Sequence, residues 1–212
     1  MKIKSKKELK FFIQADRMMN RGHFLPSLKI RIKNFFSPDY IMDFLYEMRQ
    51  TSYYRAQSGK INRLLLAIHS FRYRKLGLKL GFSIGENSLG YGVVIPHYGT
   101  IVVGDAIHIG NYAVLHTSIC ITNNEKKIGD AFYCSAGVKV TSKVVIGDNV
   151  SVGANSLVNK DCEQNNVLLG GMPAKVIRQE DAWYIRDSKG KSGNTYYEKV
   201  KKVEELKRQY GL

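Results

Sequence analysis

Residues 93–104 read VVIPHYGTIVVG, an apolar and glycine-rich run that holds one ionisable ring, His97. An imidazole titrates near neutrality, so it can take a proton from a hydroxyl and hand it on within one turnover. A second histidine, His116, stands 19 residues further along, in YAVLHTSIC. Two imidazoles at that separation suit proton transfer at an oxygen nucleophile if the chain folds them to one place. The opposing reading is a pair of core histidines satisfied by hydrogen bonds. The register of the surrounding sequence separates the two.

From residue 81 onward the periodicity is neither 3.6 nor 2. Apolar residues recur every six positions at Val103, Ile109, Leu115 and Ile121. After one extra residue in TNNEKK they continue at Ile128, Cys134, Val140, Ile146, Val152 and Val158. A second inward series lies four residues after these: Ile107, Ala113, Ile119, Phe132, Val138, Val144 and Val150. Glycine follows the frame residue at 104, 110, 129, 147 and 153, where a corner would exploit its freedom of backbone angle. Six-residue units of strand and corner bury their apolar positions only against units stacked above and below. The region resembles the left-handed parallel β-helix acyltransferases. That resemblance implies three units per coil, a triangular prism, and a homotrimer with sites between prisms.

Three units per coil sort the corner residues into columns. Gly110, Gly129 and Gly147 form one; Gly104, Thr122, Thr141 and Asn159 a second; His97, His116, Ser135 and Gly153 the third. The two histidines are thus expected to point away from the core on consecutive coils.

The segments SLGYGVVIPHYGTIVVGDAIHIGNYAVLHTSICIT, IGDAFYCSAGVKVTSKVVIGDNVSVGANSLV and LLGGMPAKVI sharpen the resemblance. They are similar to the serine acetyltransferases, and more closely to the serine-acetyltransferase-like proteins of surface-polysaccharide gene sets. The resemblance makes His97 the base that deprotonates an acceptor hydroxyl for attack on acetyl-CoA; His116, one coil on, is placed to orient the acceptor, to help hold the intermediate, or simply to pack. It carries Ala136 and Ala154 over as pantetheine contacts, beside Ser135 and Gly153 in the column, and offers Lys175 to a coenzyme phosphate. No metal is expected. In that family an aspartate about one coil earlier pairs with the histidine; the matching position is Phe82, with Glu86 or a backbone carbonyl left to orient His97. An acidic residue precedes the family's histidine where Pro96 stands, and the loop that contacts serine is shortened to TNNEKK. These departures favour a sugar hydroxyl of a cell-surface polysaccharide, with L-serine second and a non-enzymatic scaffold third. A zinc hydratase on the same fold needs a three-histidine set that His97, His108 and His116 do not match in spacing; His69 and His108 read as structural.

The remaining chain must position this corner. Residues 1–78 read as helical, 79–178 as the β-helix, and 179–212 as a helical tail whose Tyr196, Val200, Val203 and Tyr210 share a face. Ser37 is expected to cap a helix with Pro38 in its first turn. Gly77 is expected to end the next one, and Trp183 to anchor the tail. Residues 1–80 hold 18 Lys/Arg against 5 Asp/Glu, whereas residues 81–212 hold 15 against 13. That basic half reads first as a solvated surface and next as a contact for an anionic membrane or acidic glycan, and no nucleic-acid signature accompanies it. Gln14 and Asp16 interrupt any leader-like apolar stretch, no run reaches membrane-spanning length, and a cytoplasmic placement is expected. Cys120, Cys134 and Cys162 have no metal or CxxC spacing and are expected to be reduced.

Overall fold

A computed structural model describes residues 2–122 and 125–212. Four helices, α1 (Lys6–Arg21), α2 (Leu28–Phe36), α3 (Tyr40–Arg55) and α4 (Lys60–Leu80), lead into a three-sided winding of short parallel strands. One side stacks β1 (Phe82–Ile84), β2 (Ile101–Val103), β5 (Ile119–Ile121), β8 (Lys139–Val140) and β11 (Leu157–Val158). The second stacks β3 (Ile107–Ile109), β6 (Lys126–Ile128) and β9 (Val145–Ile146). The third stacks β4 (Val114–Leu115), β7 (Tyr133–Cys134), β10 (Ser151–Val152) and β12 (Val167–Gly171). There β13 (Ala174–Gln179) returns antiparallel to β12, a hairpin that the six-residue frame does not predict. The tail forms α5 (Trp183–Arg186) and α6 (Tyr196–Gln209).

All ten frame positions from Val103 to Val158 are buried, and so are all seven of the second series. The frame reset expected within TNNEKK includes Asn123 and Asn124, which lie outside the described residues.

The glycine column is real, but its cause is steric, not conformational. Gly90, Gly110, Gly129 and Gly147 have ordinary negative φ. A Cβ on Gly129 would lie 2.6 Å from the carbonyl oxygen of Gly147, and one on Gly110 2.7 Å from the carbonyl carbon of Gly129. The left-handed corner positions fall instead on Tyr112, Ala131, Asn149 and Asn166. Each donates its N–H to the coil before it: Ala131 to Asn111 O at 2.7 Å and Asn149 to Asp130 O at 2.7 Å, for example. The residue after each glycine completes the corner. Asp130 Oδ1 accepts from Asn111 N–H, Asp148 Oδ1 from Asp130 N–H, and Asn165 Oδ1 from Asp148 N–H, each at 2.7 Å. This ladder satisfies backbone donors that the turn would otherwise leave open.

The helices close the first coil. Phe44, Leu45 and Met48 of α3 join one hydrophobic core with Leu80, Phe82 and Leu89. Two caps differ from expectation. Asp39 rather than Ser37 caps α3, accepting from Met42 N–H, while Ser37 ends α2. Helix α4 runs through Gly77 to Leu80 and stops at Gly81 in the left-handed conformation. Gly77 is glycine because a Cβ there would stand 2.8 Å from Phe82 O. Gln14 and Asp16, the polar interruptions of α1, are both buried. Asp16 pairs with Arg49 of α3 at 2.8 Å, and Arg49 also donates to Leu89 O and Gly90 O at 2.8 and 2.6 Å. Asp16 in turn accepts from Val93 N–H at 3.1 Å. One ion pair therefore ties two helices to the first coil. Trp183 anchors the tail as expected, buried and donating its indole N–H to Tyr112 O at 2.8 Å. Val203 of α6 is fully buried beside it in a second core.

Two substitutions test this architecture. Gly129→Ala is expected to cost at least about 1–3 kcal/mol in urea unfolding, because backbone must move to admit the methyl. Arg49→Met, which leaves Asp16 buried without its cation, is expected to cost about 3–5 kcal/mol. Gly153→Ala is the control: its Cβ would meet Leu169 O at an ordinary 3.4 Å.

Candidate active site

The third side of the prism ends in the corner that holds the histidines. Val94 bridges Val114, and Leu115, Cys134, Val152 and Leu169 stack in register. The next residues up the corner are therefore Pro96, His116, Ser135, Gly153 and Gly170. His97 is on the expected corner but one residue out of the column, and Pro96 is the residue level with His116. The reason is local. Five residues (96–100) separate Ile95 from Ile101, whereas the later coils have three at this corner (116–118, 135–137, 153–155). Counting sixes cannot see this wider corner.

The extra length pushes His97 outward. The ring is exposed, as are Pro96 and Tyr98, while Ile95 and Ile101 on either side are fully buried. The core-histidine reading is thereby excluded. Two helices hold the loop. Asn20 of α1 donates to Val93 O at 2.7 Å and accepts from Ile95 N–H at 3.2 Å. At the end of α4, Leu80 O accepts from Gly99 N–H at 2.9 Å and Gly81 O from Ile101 N–H at 3.0 Å. Gly99 has φ 131°, and a Cβ on it would approach Thr117 Cγ2 at 3.2 Å, so the loop sits directly over the His116 corner.

His116 is half-buried, with Nε2 2.9 Å from the hydroxyl of Tyr133 on the next coil. Burial pushes its pKa down, the charge of His97 pushes it further, and Asp187 opposes both. The two imidazoles therefore sense one another, and protonation of the inner one is disfavoured. Tyr133 has its own supports: the Arg186 guanidinium lies 4.8 Å over its ring, and Trp183 packs at 6.3 Å. Arg186 is itself fixed by Glu180 at 2.7 Å and Asp187 at 2.9 Å. Asn20, Tyr133, Arg186 and Asp187 were not legible as site residues. Each reaches the corner through tertiary contact, and no local motif marks it.

Along the corner the side chains become small. Ser135 and Gly153 are half-buried, and Ala136 and Ala154 are exposed next to them. Lys175, exposed on β13, pairs with Gly170 at the end of the same file. The five residues assigned to a coenzyme thus line one continuous strip that begins at His116. Glu86, one of the two groups left to orient His97, is instead ion-paired with Arg55. Phe82 is buried against Phe44. His108 faces outward on β3 level with Lys127, and His69 bonds Glu47 at 2.5 Å while stacking on Tyr54. Among the described residues no group of three His, Cys, Asp or Glu side chains could hold a metal ion. All three cysteines are free thiols.

No family model matches the chain. Similarity to named proteins is nevertheless consistent. The serine acetyltransferase of Synechococcus elongatus is 29% identical over 96 residues, 42% of this chain and 39% of its own length. That of Staphylococcus xylosus is 24% identical over 134 residues, 60% and 59% of the two chains. The chain spans roughly two to three fifths of these relatives. Among solved structures, a serine acetyltransferase of Neisseria gonorrhoeae in complex with serine aligns with TM-score 0.59 at 19% identity. It covers 82% of this chain and 71% of that one. A serine acetyltransferase in complex with CoA aligns with TM-score 0.54 at 17% identity, over 80% and 68%. At such identities the structural likeness speaks for the fold.

The depressed His116 has a measurable consequence. In the folded chain it binds a proton less readily than in the unfolded chain, where the ordinary value is near 6.5. Its contribution to stability is complete above that value and is lost as pH falls below it and through the lower value of the folded chain. Wild type is expected to lose more thermal stability between about pH 7.5 and about pH 5.5 than His116→Asn does, as read by differential scanning calorimetry.

Proposed function

We propose that this chain, a hexapeptide-repeat protein related to the serine acetyltransferases, is an acetyl-CoA-dependent O-acetyltransferase with His97 as general base. The observation that carries the proposal is one corner with an exposed imidazole, a second, half-buried imidazole bonded to Tyr133, and a strip of small residues leading away. His97 removes the hydroxyl proton of the acceptor as its oxygen bonds to the acetyl carbonyl carbon. The C–S bond then breaks, and the departing thiolate takes the proton from the imidazolium, so no net charge or proton is lost. A positioned base contributes about 10² to 10⁴ in rate. Burial and the charge of His97 both disfavour protonation of His116, whose Nε2 is held by Tyr133, so it can share a hydrogen bond with the acceptor while resisting a second positive charge beside the imidazolium. Ser135, Ala136, Gly153 and Ala154 would let a pantetheine arm lie close to the backbone. Lys175 would meet a phosphate as a point charge.

For the acceptor, the names of the relatives support L-serine above the polysaccharide hydroxyl favoured by the sequence. The sugar reading is retained on two particular residues. Pro96 stands level with His116, where the resemblance places an acid for an amino group, and Phe82 is buried where it places the histidine's aspartate. We further propose a homotrimer, supported by the exposed stripe Ile61, Leu64, Ile68, Phe71 and Leu78 on α4. The spacing of three, four and three residues from Ile61 to Phe71, with Leu78 seven further on, is that of helix-to-helix packing.

His97→Ala is expected to keep its fold and assembly yet lose transfer by about 10²-fold or more; retention of most activity overturns the assignment. Release of free coenzyme A thiol, followed colorimetrically, is the measurement. Run against L-serine and a panel of sugars, the same assay decides the acceptor. Asn20→Ala, which frees the segment before His97, is expected to lower kcat with little change in KM for acetyl-CoA.

A further inference from the structure

Helix α2 has no buried residue, unlike the other helices around it. We propose that it is a membrane-docking helix, laying its apolar face into the headgroup layer of an anionic lipid bilayer. This goes beyond acetyl transfer and does not rest on it.

At 100° per residue, Leu28, Ile32, Phe35 and Phe36 fall within one face of α2. All four are exposed, the two phenylalanines at 81% and 80%. Leu25, just before the helix, is exposed as well. On the wheel Lys29 and Lys33 flank one border of this face and Arg31 the other, all exposed. Ile30 and Asn34, half-buried, lie on the opposite side, toward the body of the protein. Ser27 caps the helix, its side chain accepting from Ile30 N–H at 3.4 Å, and the segments on either side of it are tied together by Arg21 and Asp39 at 2.6 Å. A fixed apolar face bordered by long cationic side chains is the arrangement that lies in a membrane interface. The rings enter the acyl boundary there, and the cations reach the phosphates.

Charge selects this occupant. Residues 17–38 contain Arg17, Arg21, Lys29, Arg31 and Lys33 and no acid. A second copy seated face to face would crowd two sets of these cations together. A soluble polyanion would use the cations and leave the phenylalanines in water. A bilayer containing acidic lipids satisfies both halves of the surface. No helix among the described residues is long and apolar enough to cross a membrane, so the contact is one of lying on the surface.

The experiment is vesicle flotation of the full chain with phosphatidylcholine alone and with phosphatidylcholine plus phosphatidylglycerol. The chain is expected to float with the mixed vesicles and to stay down with the neutral ones. The double variant Phe35→Ser, Phe36→Ser is expected to lower partitioning at least about tenfold. The triple variant Lys29→Gln, Arg31→Gln, Lys33→Gln is expected to lower it by roughly a hundredfold. Unchanged circular dichroism and melting temperature show that these exposed substitutions leave the fold intact. The proposal is overturned if mixed vesicles fail to capture the chain, or if the phenylalanine variant floats like wild type. It is equally overturned if that variant lowers the molecular mass in solution, which would make the face a contact between copies.

Discussion

Everything in this molecule depends on backbone meeting backbone from one coil to the next. At the glycine corner a carbonyl of one coil lies where a Cβ of the previous coil would be. The spacing leaves no room for even a methyl group. That tight stacking brings the inward residues of successive coils into contact, and without it a six-residue unit has nothing to bury against. The asparagine and aspartate ladder beside the glycines adds a hydrogen bond per coil and fixes the register. Side-chain files on the outer surface, including the histidine corner, inherit their alignment from this stacking.

Much of this was legible because the repeat is local. Six residues decide which side chain points inward, and all of the frame positions are buried as read. What escaped depends on contacts far apart in the chain. Gly77 looks like a helix stop in isolation, but it is the only residue that fits against Phe82 O, and the helix continues past it. Asp39 competes with Ser37 for the same cap, and the position of α3 against α1, with Arg21 on Asp39, decides in its favour. His97 stands one residue out of the histidine column for a related reason. The wide corner at 96–100 is stabilised by Asn20 and by the end of α4, neither of which belongs to the repeat. Tyr133 and Arg186 likewise meet only after the tail has folded back.

The corner itself shows how two like groups can serve one reaction. His97 is lifted into solvent by its loop, whereas His116 is drawn in beneath it and bonded to a tyrosine. Two imidazoles close together resist carrying charge at once. Burial biases that competition against a charge on the inner ring. The C-terminal segment takes part indirectly, since Asp187 acts on His116 and Arg186 covers Tyr133. A tail that seems peripheral in the sequence thus reaches the centre of the site.

The antiparallel return of β13 has a bearing on how copies can meet. A stack of parallel strands exposes open edges at both ends, and such edges template further strands into fibres. Here α3 plugs the first coil with Phe44, Leu45 and Met48. At the other end β13 reverses direction over β12 and presents Lys175 and Arg178 outward. End-to-end growth on that side of the prism meets a reversed, cationic strand instead of a matching edge.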